Sequence, residues 1–394
     1  MSGPLSGFRV VDFSAVISGP LASMILADQG AEVIKVEAPG RPDLLRKEWY
    51  GRGGLTSMFA NCNRGKQSIA IDLATQKGLD VAYRLCDRAD VVLENYRPGV
   101  MERLKLGPET LHARNERLVY CRITGYGQTG PWSHKRAYDP VTQAATGYVA
   151  IQNNPDVPIP DLVRNALVDK ATSHSAAQAI TAGLLARERG ELGQTIELSL
   201  IDSGLAFFWP DGMMKNTMMG EGVREGPALY DRYQLTETSD GHIVMWAGGD
   251  NEWHAVFRCL DRPELCDDER FATGAARVKN GEALATILHQ EFSRRTTAEV
   301  VKRMEEEQVP GGPVLSLDQV PENVQIAHNE TVYEVEHPTA GRMRQCRPAA
   351  RFSRTQAERR PPAPLLGEHT DEVLADLGFA ADQIAGLRDS GVVS

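Results

Sequence analysis

The chain has 394 residues, of which 42% are hydrophobic and 24% are charged, and it carries a formal net charge of −10. Its length and composition are typical of a globular protein with two domains. The negative charge argues against nucleic acid or an anionic membrane as a general partner, although it leaves room for a local basic pocket.

The N-terminal residues and the cysteines bear on where the protein resides. The chain starts Met-Ser-Gly-Pro-Leu-Ser-Gly, without the basic and apolar regions of a signal peptide, and no apolar run approaches the roughly 20 residues of a membrane span. The six cysteines are scattered without a Cys-x-x-Cys pair, which predicts free thiols and no cysteine metal site. We therefore expect a cytoplasmic protein without a bound metal or prosthetic group.

Strand-forming runs alternate with helix-forming segments near the start of the chain. The pattern predicts strands at 8–13, 31–37, 68–72, 90–94 and 118–123, and helices at 21–29, 77–86 and 100–104. Such alternation indicates βαβ units with right-handed crossovers between parallel strands. We therefore predict an α/β fold in which residues 1–210 form a Rossmann-like, open doubly wound large domain.

The following residues predict a smaller domain between two linkers. Residues 211–225 are rich in Met and Gly and are predicted as the first linker. Residues 226–325 are predicted as an α+β domain with three amphipathic helices, which the Pro-Gly-Gly-Pro stretch at 310–313 ends. Residues 326–364 are predicted as the second linker, and Thr370 as the cap of a last helix.

Asp169 stands just before a run of small residues, from Ala171 to Leu185, which contains no acid, lysine, arginine or proline. The run predicts a buried helix, and an acid at its start is favoured by the helix dipole. The residues alone leave two interpretations open: a capping aspartate, or a reactive carboxylate at the mouth of a tightly packed helix. His174, on the same helix, is expected to be packed or hydrogen-bonded rather than a catalytic base.

A glycine motif follows the last predicted strand. Gly125-Tyr-Gly-Gln-Thr-Gly130 matches the G-x-G-x-x-G pattern, but a dinucleotide site needs a helix to begin there, and the residues that follow predict a loop. The sequence also lacks the H-E-x-x-H, P-loop and G-x-S-x-G patterns. Nicotinamide or flavin use is therefore disfavoured.

Cationic and aromatic side chains occur in the loops that follow the predicted strands. The cations are Arg41, Arg97, Arg103, Lys135 and Arg136, and the aromatics among them are Tyr96, Tyr126 and Tyr138. In an open α/β sheet these loops face a common crevice, so the cluster predicts an anion site in which a tyrosine covers a purine. The alternative is a set of solvated loop charges.

Taken together, these segments resemble the class III CoA-transferases, the family of formyl-CoA transferase and carnitine CoA-transferase, to which alpha-methylacyl-CoA racemase is related. The resemblance extends over nearly the whole chain. Its segments are 4–12, Gly19-Pro20, 30–37, 63–73, 94–99, 125–131, Tyr138-Asp139, the Asp169 segment, 193–197 and 364–370.

The resemblance implies roles for individual residues. Asp169 matches the family's catalytic aspartate. The positions that match CoA contacts are Val16, Ile17, Leu73, Asn95, Tyr96, Arg97, Arg103, Arg136, Ala137, Tyr138 and Asp139. Ala38 stands where some members carry an arginine near the adenine, and Arg41 is the expected substitute. Gly248, Gly249 and Asp250 resemble a glycine-rich loop of the small domain that can close over the acyl group.

The implied reaction is the transfer of CoA from an acyl-CoA, with succinyl-CoA as the expected donor, to a small carboxylic acid. A carboxylate nucleophile would pass through an aspartyl anhydride and an aspartyl-CoA thioester. The expected acceptor is a dicarboxylate such as itaconate, mesaconate or glutarate. Arg46, Arg164 and Arg232 are the candidates for binding its distal carboxylate.

Two other functions stay open at this point. The first is an acyl-CoA racemase or epimerase, which the resemblance disfavours because the racemases use a histidine where this chain has Tyr138. The second is a CoA-binding subunit without its own chemistry. The resemblance further implies an interlocked homodimer, in which residues 330–394 complete the large domain.

Overall fold

The computed structural model describes residues 3–47, 50–152 and 161–394. The chain divides into two compact units, of which the larger comprises Met1–Met219 with Glu330–Ser394 and the smaller comprises Gly220–Asn329. Each unit has its own clusters of buried apolar side chains. The chain therefore leaves the larger unit once and returns to it.

The secondary structure of the described residues alternates between short strands and helices. In chain order the strands are β1 Arg9–Asp12, β2 Glu32–Glu37, β3 Gly51–Arg52, β4 Leu55–Thr56, β5 Lys66–Ala70, β6 Val91–Glu94, β7 Val119–Thr124, β8 Thr195–Ser199, β9 Thr236–Glu237, β10 His242–Met245, β11 Gly311–Pro313, β12 Val332–His337 and β13 Gly341–Cys346. The α-helices are α1 Ser18–Asp28, α2 Ser57–Asn63, α3 Gln76–Asp87, α4 Val100–Arg103, α5 Pro108–Arg114, α6 Asp139–Ala145, α7 Tyr148–Ile151, α8 Leu167–Glu188, α9 Leu200–Gly212, α10 Met214–Thr217, α11 Asp250–Cys259, α12 Gly274–Lys279, α13 Gly281–Ser293, α14 Thr297–Glu306, α15 Val324–His328, α16 Thr370–Asp376 and α17 Ala381–Asp389.

A six-stranded sheet organises the larger unit, with the strand order β5-β2-β1-β6-β7-β8. All neighbouring strands in it are parallel. The chain builds outward from β1 to β5 and then returns to the other side of β1 with β6. The carboxyl ends of β1 and β6 therefore mark the point where the strand order reverses, which is where open α/β sheets bind ligands.

Both faces of this sheet are covered, because successive residues of each strand point to opposite sides. Val11 faces a core shared with helices α3, α5, α16 and α17. Val10 faces a second core shared with α1 and α8. The prediction of an open, doubly wound α/β fold is thus confirmed for this unit.

The smaller unit contains an antiparallel sheet with the order β11-β10-β9. Its core joins Ile243 of β10 to Val256 of α11, Phe292 of α13 and Val300 of α14. Residues 310–313 were expected to end the helices, and α14 ends just before them at Glu306. The sequence did not predict that Gly311–Pro313 pairs with β10 as a strand.

The five strands and three helices predicted near the start of the chain are all present within a few residues of their predicted bounds. The sequence analysis missed β8, which lies at the edge of the sheet beside β7. It also began the first linker at residue 211, but the helix α9 continues through Pro210 to Gly212. Proline lacks a backbone N–H donor, so α9 forgoes one helical hydrogen bond there.

Two expectations for the C-terminal part are wrong. Residues 332–346, expected within a linker, form the antiparallel hairpin of β12 and β13, turning at Gly341 with a φ of 68°. Thr370 is the first residue of α16 rather than its cap, which is His369. The Thr370 hydroxyl instead donates to the carbonyl of Ser394 over 2.8 Å.

Among the helices of the described ranges, none combines the length and the hydrophobicity of a bilayer-spanning segment.

Candidate active site

Asp169 is a buried residue in the first turn of α8, where it is 9% exposed. The cap position belongs to Ala166, which offers no side-chain hydrogen bond. The capping interpretation of Asp169 is therefore wrong. The small residues of α8 let it pack against α1 and α9. His174, expected to be packed, is exposed.

A second acid is hydrogen-bonded to the main chain of Asp169. The backbone N–H of Asp169 donates to the carboxylate of Asp139, at the start of α6, over 2.9 Å. Burial raises the pKa of the Asp169 carboxyl to about 7, and the negative charge of Asp139 adds to the rise. An acid with this pKa is partly ionised at neutral pH, which is where a carboxylate nucleophile or base would be used.

A cavity of about 240 Å³ opens at the carboxyl ends of β1, β6 and β7, and Asp169 is part of its wall. This is the reversal point of the strand order. The lining residues are Ala15, Val16, Ser18, Asn95, Tyr96, Arg97, Pro98, Ile123, Thr124, Gly125, Ser133, Lys135, Arg136, Ala137, Tyr138, Asp169 and Leu200. Of the residues predicted from the sequence, it brings together Val16, Asn95, Tyr96, Arg97, Arg136, Ala137, Tyr138 and Asp169.

The cavity is lined by cations as well as by the buried acid. Arg97, Lys135 and Arg136 are all exposed to solvent at its wall. Arg103 lies in a neighbouring cavity of about 510 Å³, which shares Tyr96 and Arg97 with the first. The two cavities therefore form a cationic surface that leads to one carboxylate, as a ligand with several phosphates and a reactive end would require.

Close backbone packing shapes the wall of the cavity. A Cβ atom built on Gly125 would lie 2.3 Å from the Cβ of Ala137, so a side chain at this position would displace the loop that carries Arg136. The Asn95 side chain accepts from the N–H of Ala15 over 2.8 Å and donates to its carbonyl over 2.7 Å. These contacts join the loops that follow β1 and β6.

Val16 has an unusual backbone conformation where it faces the cavity. Its φ is 68°, in the left-handed region that β-branched residues rarely adopt. The N–H of Val16 donates to both carboxylate oxygens of Asp43 over 3.2 Å. Asp43 in turn pairs with the buried ammonium of Lys35 at 3.0 Å, and Lys35 donates to the carbonyl of Ser14 over 2.8 Å. The buried ion pair thus holds this turn in its strained form.

A buried glutamate supports the turn that carries Tyr96 and Arg97. The Glu94 carboxylate accepts from the N–H of Tyr96 over 2.7 Å, and Arg122 lies 3.6 Å away. Burial raises the pKa of Glu94 to about 7. The position of the turn therefore depends on an acid that has little access to water.

Several predicted contacts do not line the two cavities. Ile17 is partly buried among Leu45, Leu55 and Phe59, and Leu73 packs on the first core. Ala38 and Arg41 form an isolated β-bridge with each other at an exposed turn. Asp139 is buried behind Asp169. Gly248, Gly249 and Asp250 belong to the smaller unit, where the Glu252 carboxylate accepts from the N–H groups of Gly248 and Gly249.

The candidates for binding a distal carboxylate differ in their surroundings. The Arg46 side chain is only 5% exposed, pairs with Glu37 at 2.6 Å and stacks on the ring of Phe59, so it is not available to a ligand. Arg164 is exposed and pairs with Asp161 at 3.2 Å. Arg232 is exposed in the smaller unit.

The sequence analysis missed some residues of the site. Ser18, Pro98 and Ser133 line the cavity without having been singled out, and Lys135 was noted only as a loop cation. Gln143, which contacts Asp139, was also missed. Its spacing of four residues from Asp139 on a helix is the signal that would have found it.

The structure also bears on the glycine motif and on groups of potential metal ligands. The glycine motif at Gly125–Gly130 is a loop, and the next helix begins at Asp139. A dinucleotide fingerprint needs a helix to begin directly after the glycines, so the motif does not form one. Within the described ranges, no group of three or more His, Cys, Asp or Glu side chains is arranged to hold a metal ion.

A cationic cleft that leads to a buried aspartate, at the switch point of a doubly wound sheet, is the arrangement expected of an enzyme acting on acyl-CoA. The model of CoA-transferase family III matches residues 5–370, and the chain belongs to this family.

Individual relatives agree with this assignment. The chain is 37% identical to the succinyl-CoA:glutarate CoA-transferase of Mus musculus, over 99% of this chain and 90% of the relative. It is 34% identical to the probable fatty acyl-CoA transferase Rv3272 of Mycobacterium tuberculosis, over 94% of this chain and 98% of the relative. The crystal structure of a CAIB/BAIF family protein from Brucella suis superposes with a TM-score of 0.84 at 31% identity, covering 96% of this chain and all of that one.

Proposed function

We propose that this protein moves CoA from an acyl-CoA, with succinyl-CoA as donor, to a small dicarboxylic acid, and that Asp169 is the nucleophile. The observation that carries the proposal is the position of Asp169, which is buried in the wall of a cavity that Arg97, Lys135 and Arg136 also line. The cations suit the phosphates of CoA, and the carboxylate suits the thioester end.

The acceptor follows from the relatives rather than from the cavity. The mouse relative is named for succinyl-CoA and glutarate, which supports a dicarboxylate such as glutarate, with itaconate and mesaconate as related candidates. The mycobacterial relative is named for fatty acyl-CoA, so membership of the family does not by itself define the acid. With Arg46 paired to Glu37, Arg164 and Arg232 are the remaining candidates for the distal carboxylate.

The proposed chemistry uses four nucleophilic exchanges and no net proton. The Asp169 carboxylate attacks the thioester carbonyl, which forms a mixed anhydride and releases CoA thiolate. The thiolate attacks the aspartyl carbonyl of the anhydride, which forms an aspartyl-CoA thioester and releases the donor acid. The acceptor carboxylate attacks that thioester, and the released thiolate then attacks the acceptor's carbonyl of the new anhydride. The products are the new acyl-CoA and the free Asp169 carboxylate.

The surroundings of Asp169 suit these steps in two ways. Its burial limits the access of water, which would hydrolyse an anhydride. Its place in the first turn of α8 puts its carboxylate near the positive end of the helix dipole, which favours the ionised form that attacks. In the smaller unit, Gly248, Gly249 and Asp250 are the proposed loop over the acyl group. Their present contact with Glu252 would have to open before these N–H groups could bind another oxygen.

CoA contacts are proposed for the predicted residues that line the cavities. These are Val16, Asn95, Tyr96, Arg97, Arg103, Arg136, Ala137 and Tyr138. The racemase alternative is disfavoured because Tyr138 stands on the cavity wall where a histidine would be needed for exchange of an α-proton.

We also propose that two copies of the chain assemble, as the family resemblance implies. Phe207 and Trp209 on α9, with Met218 and Met219 beyond α10, are exposed large apolar side chains. Exposed apolar patches mark interaction surfaces, and we propose that these four side chains belong to one. Light scattering of the purified protein should give twice the chain mass of 43.2 kDa.

The proposed compartment is the cytoplasm, because all six cysteines are free thiols.

The function is tested by incubating the protein with succinyl-CoA and labelled glutarate and separating the CoA esters. Labelled glutaryl-CoA is expected from the wild type and not from Asp169→Ala. Asp382→Ala, which removes an exposed acid from the first turn of α17, is the matched control and should retain activity.

Hydroxylamine added during turnover should convert Asp169 alone to a hydroxamate that mass spectrometry detects. Full activity of Asp169→Ala would remove the proposed nucleophile. Incorporation of deuterium at the α-carbon without exchange of CoA between acids would instead indicate a racemase. Binding of CoA without either reaction would indicate a subunit without chemistry.

A further inference from the structure

We propose that Gln143 is a positioning residue for Asp169, acting through Asp139 and through the segment that leads into α8. The inference rests on the proposed function, because it assigns a role relative to the proposed nucleophile. Gln143 is 1% exposed on α6 and does not line the cavity, so it does not touch substrate itself.

Both the nitrogen and the oxygen of the Gln143 side-chain amide have hydrogen-bond partners. Its amide nitrogen carries two hydrogens, which donate to the carboxylate of Asp139 and to the carbonyl of Asn165 over 2.9 Å, and the carbonyl of Val163 shares this donor at 3.2 Å. Its amide oxygen accepts from the N–H of Val163 over 3.1 Å. One buried amide therefore joins α6 to the residues just before Asp169.

These contacts converge on the reacting group from two directions. One oxygen of Asp139 accepts from Gln143, and the other accepts from the backbone N–H of Asp169 over 2.9 Å. The same amide holds Asn165, four residues before Asp169, through its carbonyl. Both the carboxylate that anchors Asp169 and the entry to α8 thus depend on Gln143.

The chemical type of the side chain matters here. Its neighbours present three acceptors and one donor, and an amide supplies both kinds of group without a charge. A glutamate of the same shape would bring an acid towards the Asp139 carboxylate, which should disfavour ionisation of the neighbouring acids. A leucine of similar size would leave Asp139 and the two carbonyls without their shared donor.

Other charged and titratable groups lie on the elements near α8 and on the cavity wall. They are Cys62 on α2, Asp28 on α1, Asp202 and Asp211 on α9, Arg122 on β7 and Glu197 on β8, with Tyr96, Arg97, Lys135, Arg136 and Tyr138 on the cavity wall. Of these, Asp28 is paired with Arg64, Asp202 with Ser199 and Arg122 with Glu102. The Gln143 side chain, in contrast, bonds directly to the Asp139 carboxylate.

The test compares Gln143→Leu and Gln143→Glu with Thr146→Val. Thr146 is a buried residue just after α6, and its hydroxyl bonds within its own helix, to the carbonyl of Thr142 over 2.6 Å. Its replacement therefore perturbs the same region without touching Asp139. Each variant is assayed for kcat, for KM with succinyl-CoA, and for the pH dependence of both.

We expect Gln143→Leu to lower kcat by about 10- to 100-fold, the effect of a misplaced nucleophile, with a change in KM below about threefold. We expect Gln143→Glu to raise the pH midpoint of kcat/KM by at least about half a unit. Thr146→Val should lower thermal stability and leave both quantities as in the wild type. A purely structural role of Gln143 would give the pattern of Thr146→Val, and that result would overturn the proposal.

A measurement without turnover separates this inference from the proposed function. The difference in unfolding temperature between a protein and its Asp169→Asn form, followed with pH, reports the ionisation of Asp169. It should shift to higher pH in the Gln143→Glu background. If Asp169→Asn retains full transfer while this shift occurs, the proposed nucleophile is wrong but the coupling stands. If Asp169→Asn is inactive and no Gln143 variant moves the midpoint or kcat, the inference is wrong.

Discussion

The backbone N–H of Asp169 donates to the carboxylate of Asp139 over 2.9 Å, so one acid anchors the main chain of the other. This contact orients the first turn of α8, but it also places a negative charge beside the carboxylate that is proposed to react. The contact that orients Asp169 therefore also raises the pKa of its carboxyl group. The first two predictions follow from this raised pKa.

The first prediction concerns the pH dependence of the reaction. Because the pKa of Asp169 is about 7 and only its ionised form is a nucleophile, kcat/KM should rise with pH and level off above a midpoint near 7. Initial rates of glutaryl-CoA formation between pH 5.5 and 9 measure this. Asp139→Asn, which removes the neighbouring charge, should lower the midpoint. A rate independent of pH over this range would contradict the assignment.

The second prediction concerns stability. The pKa of Asp169 is raised in the folded protein, from 3.8 to about 7, so the unfolded chain loses this proton at lower pH than the folded one. Stability is therefore lost as pH rises through this window. Asp169→Asn, which cannot ionise, should be more stable than the wild type by on the order of a few kcal/mol at pH 8 and by little at pH 4. Denaturant unfolding at both pH values measures this, and a gain equal at both would show that burial of the charge is not its cause.

The third prediction concerns the ion pair behind Val16. Asp43→Ala would leave the buried ammonium of Lys35 without its partner at 3.0 Å and the N–H of Val16 without its acceptor. Removing one member of a buried pair is strongly destabilising, so we expect a loss of about 3 kcal/mol or more in unfolding free energy.

The control for this prediction is an exposed ion pair that also lies in the larger unit. Asp371 and Arg388 lie 2.8 Å apart with their side chains largely in solvent. Asp371→Ala should cost less than about 1 kcal/mol. Equal losses in the two variants would contradict the prediction that the buried Asp43–Lys35 pair stabilises this part of the fold.

The fourth prediction concerns the cations of the cavity. Arg97→Ala and Arg136→Ala should each raise KM for succinyl-CoA by about tenfold, equivalent to about 1.4 kcal/mol, with a smaller effect on kcat if the contacts are equal in the ground and transition states. Arg354→Ala, at an exposed arginine that lines neither cavity, is the control. A fall in kcat at unchanged KM would instead place these arginines at the reacting end.

Much of this molecule could be predicted before its structure. The alternation of strand and helix along the first 125 residues depends on local periodicity, which is why β1, β2, β5, β6 and β7 were found. Strand β8 was missed because it lies at the sheet edge and its first residues are only partly buried, so its pattern is weak. The hairpin β12–β13 was missed because a proline-rich neighbourhood outweighed its alternating residues.

The sequence by itself determined the class of fold, the family and the presence of one unusual carboxylate at the head of a helix of small residues. These depend on local patterns and on motifs that are readable in order along the chain. Only the tertiary structure decided that Arg46 forms an ion pair with Glu37 and that Asp43 accepts from the N–H of Val16. The same holds for the hydrogen bonds by which Gln143 joins Asp139 to the segment before α8. Such contacts depend on the path of the folded backbone and on the side-chain rotamers. Neither can be inferred from local sequence patterns.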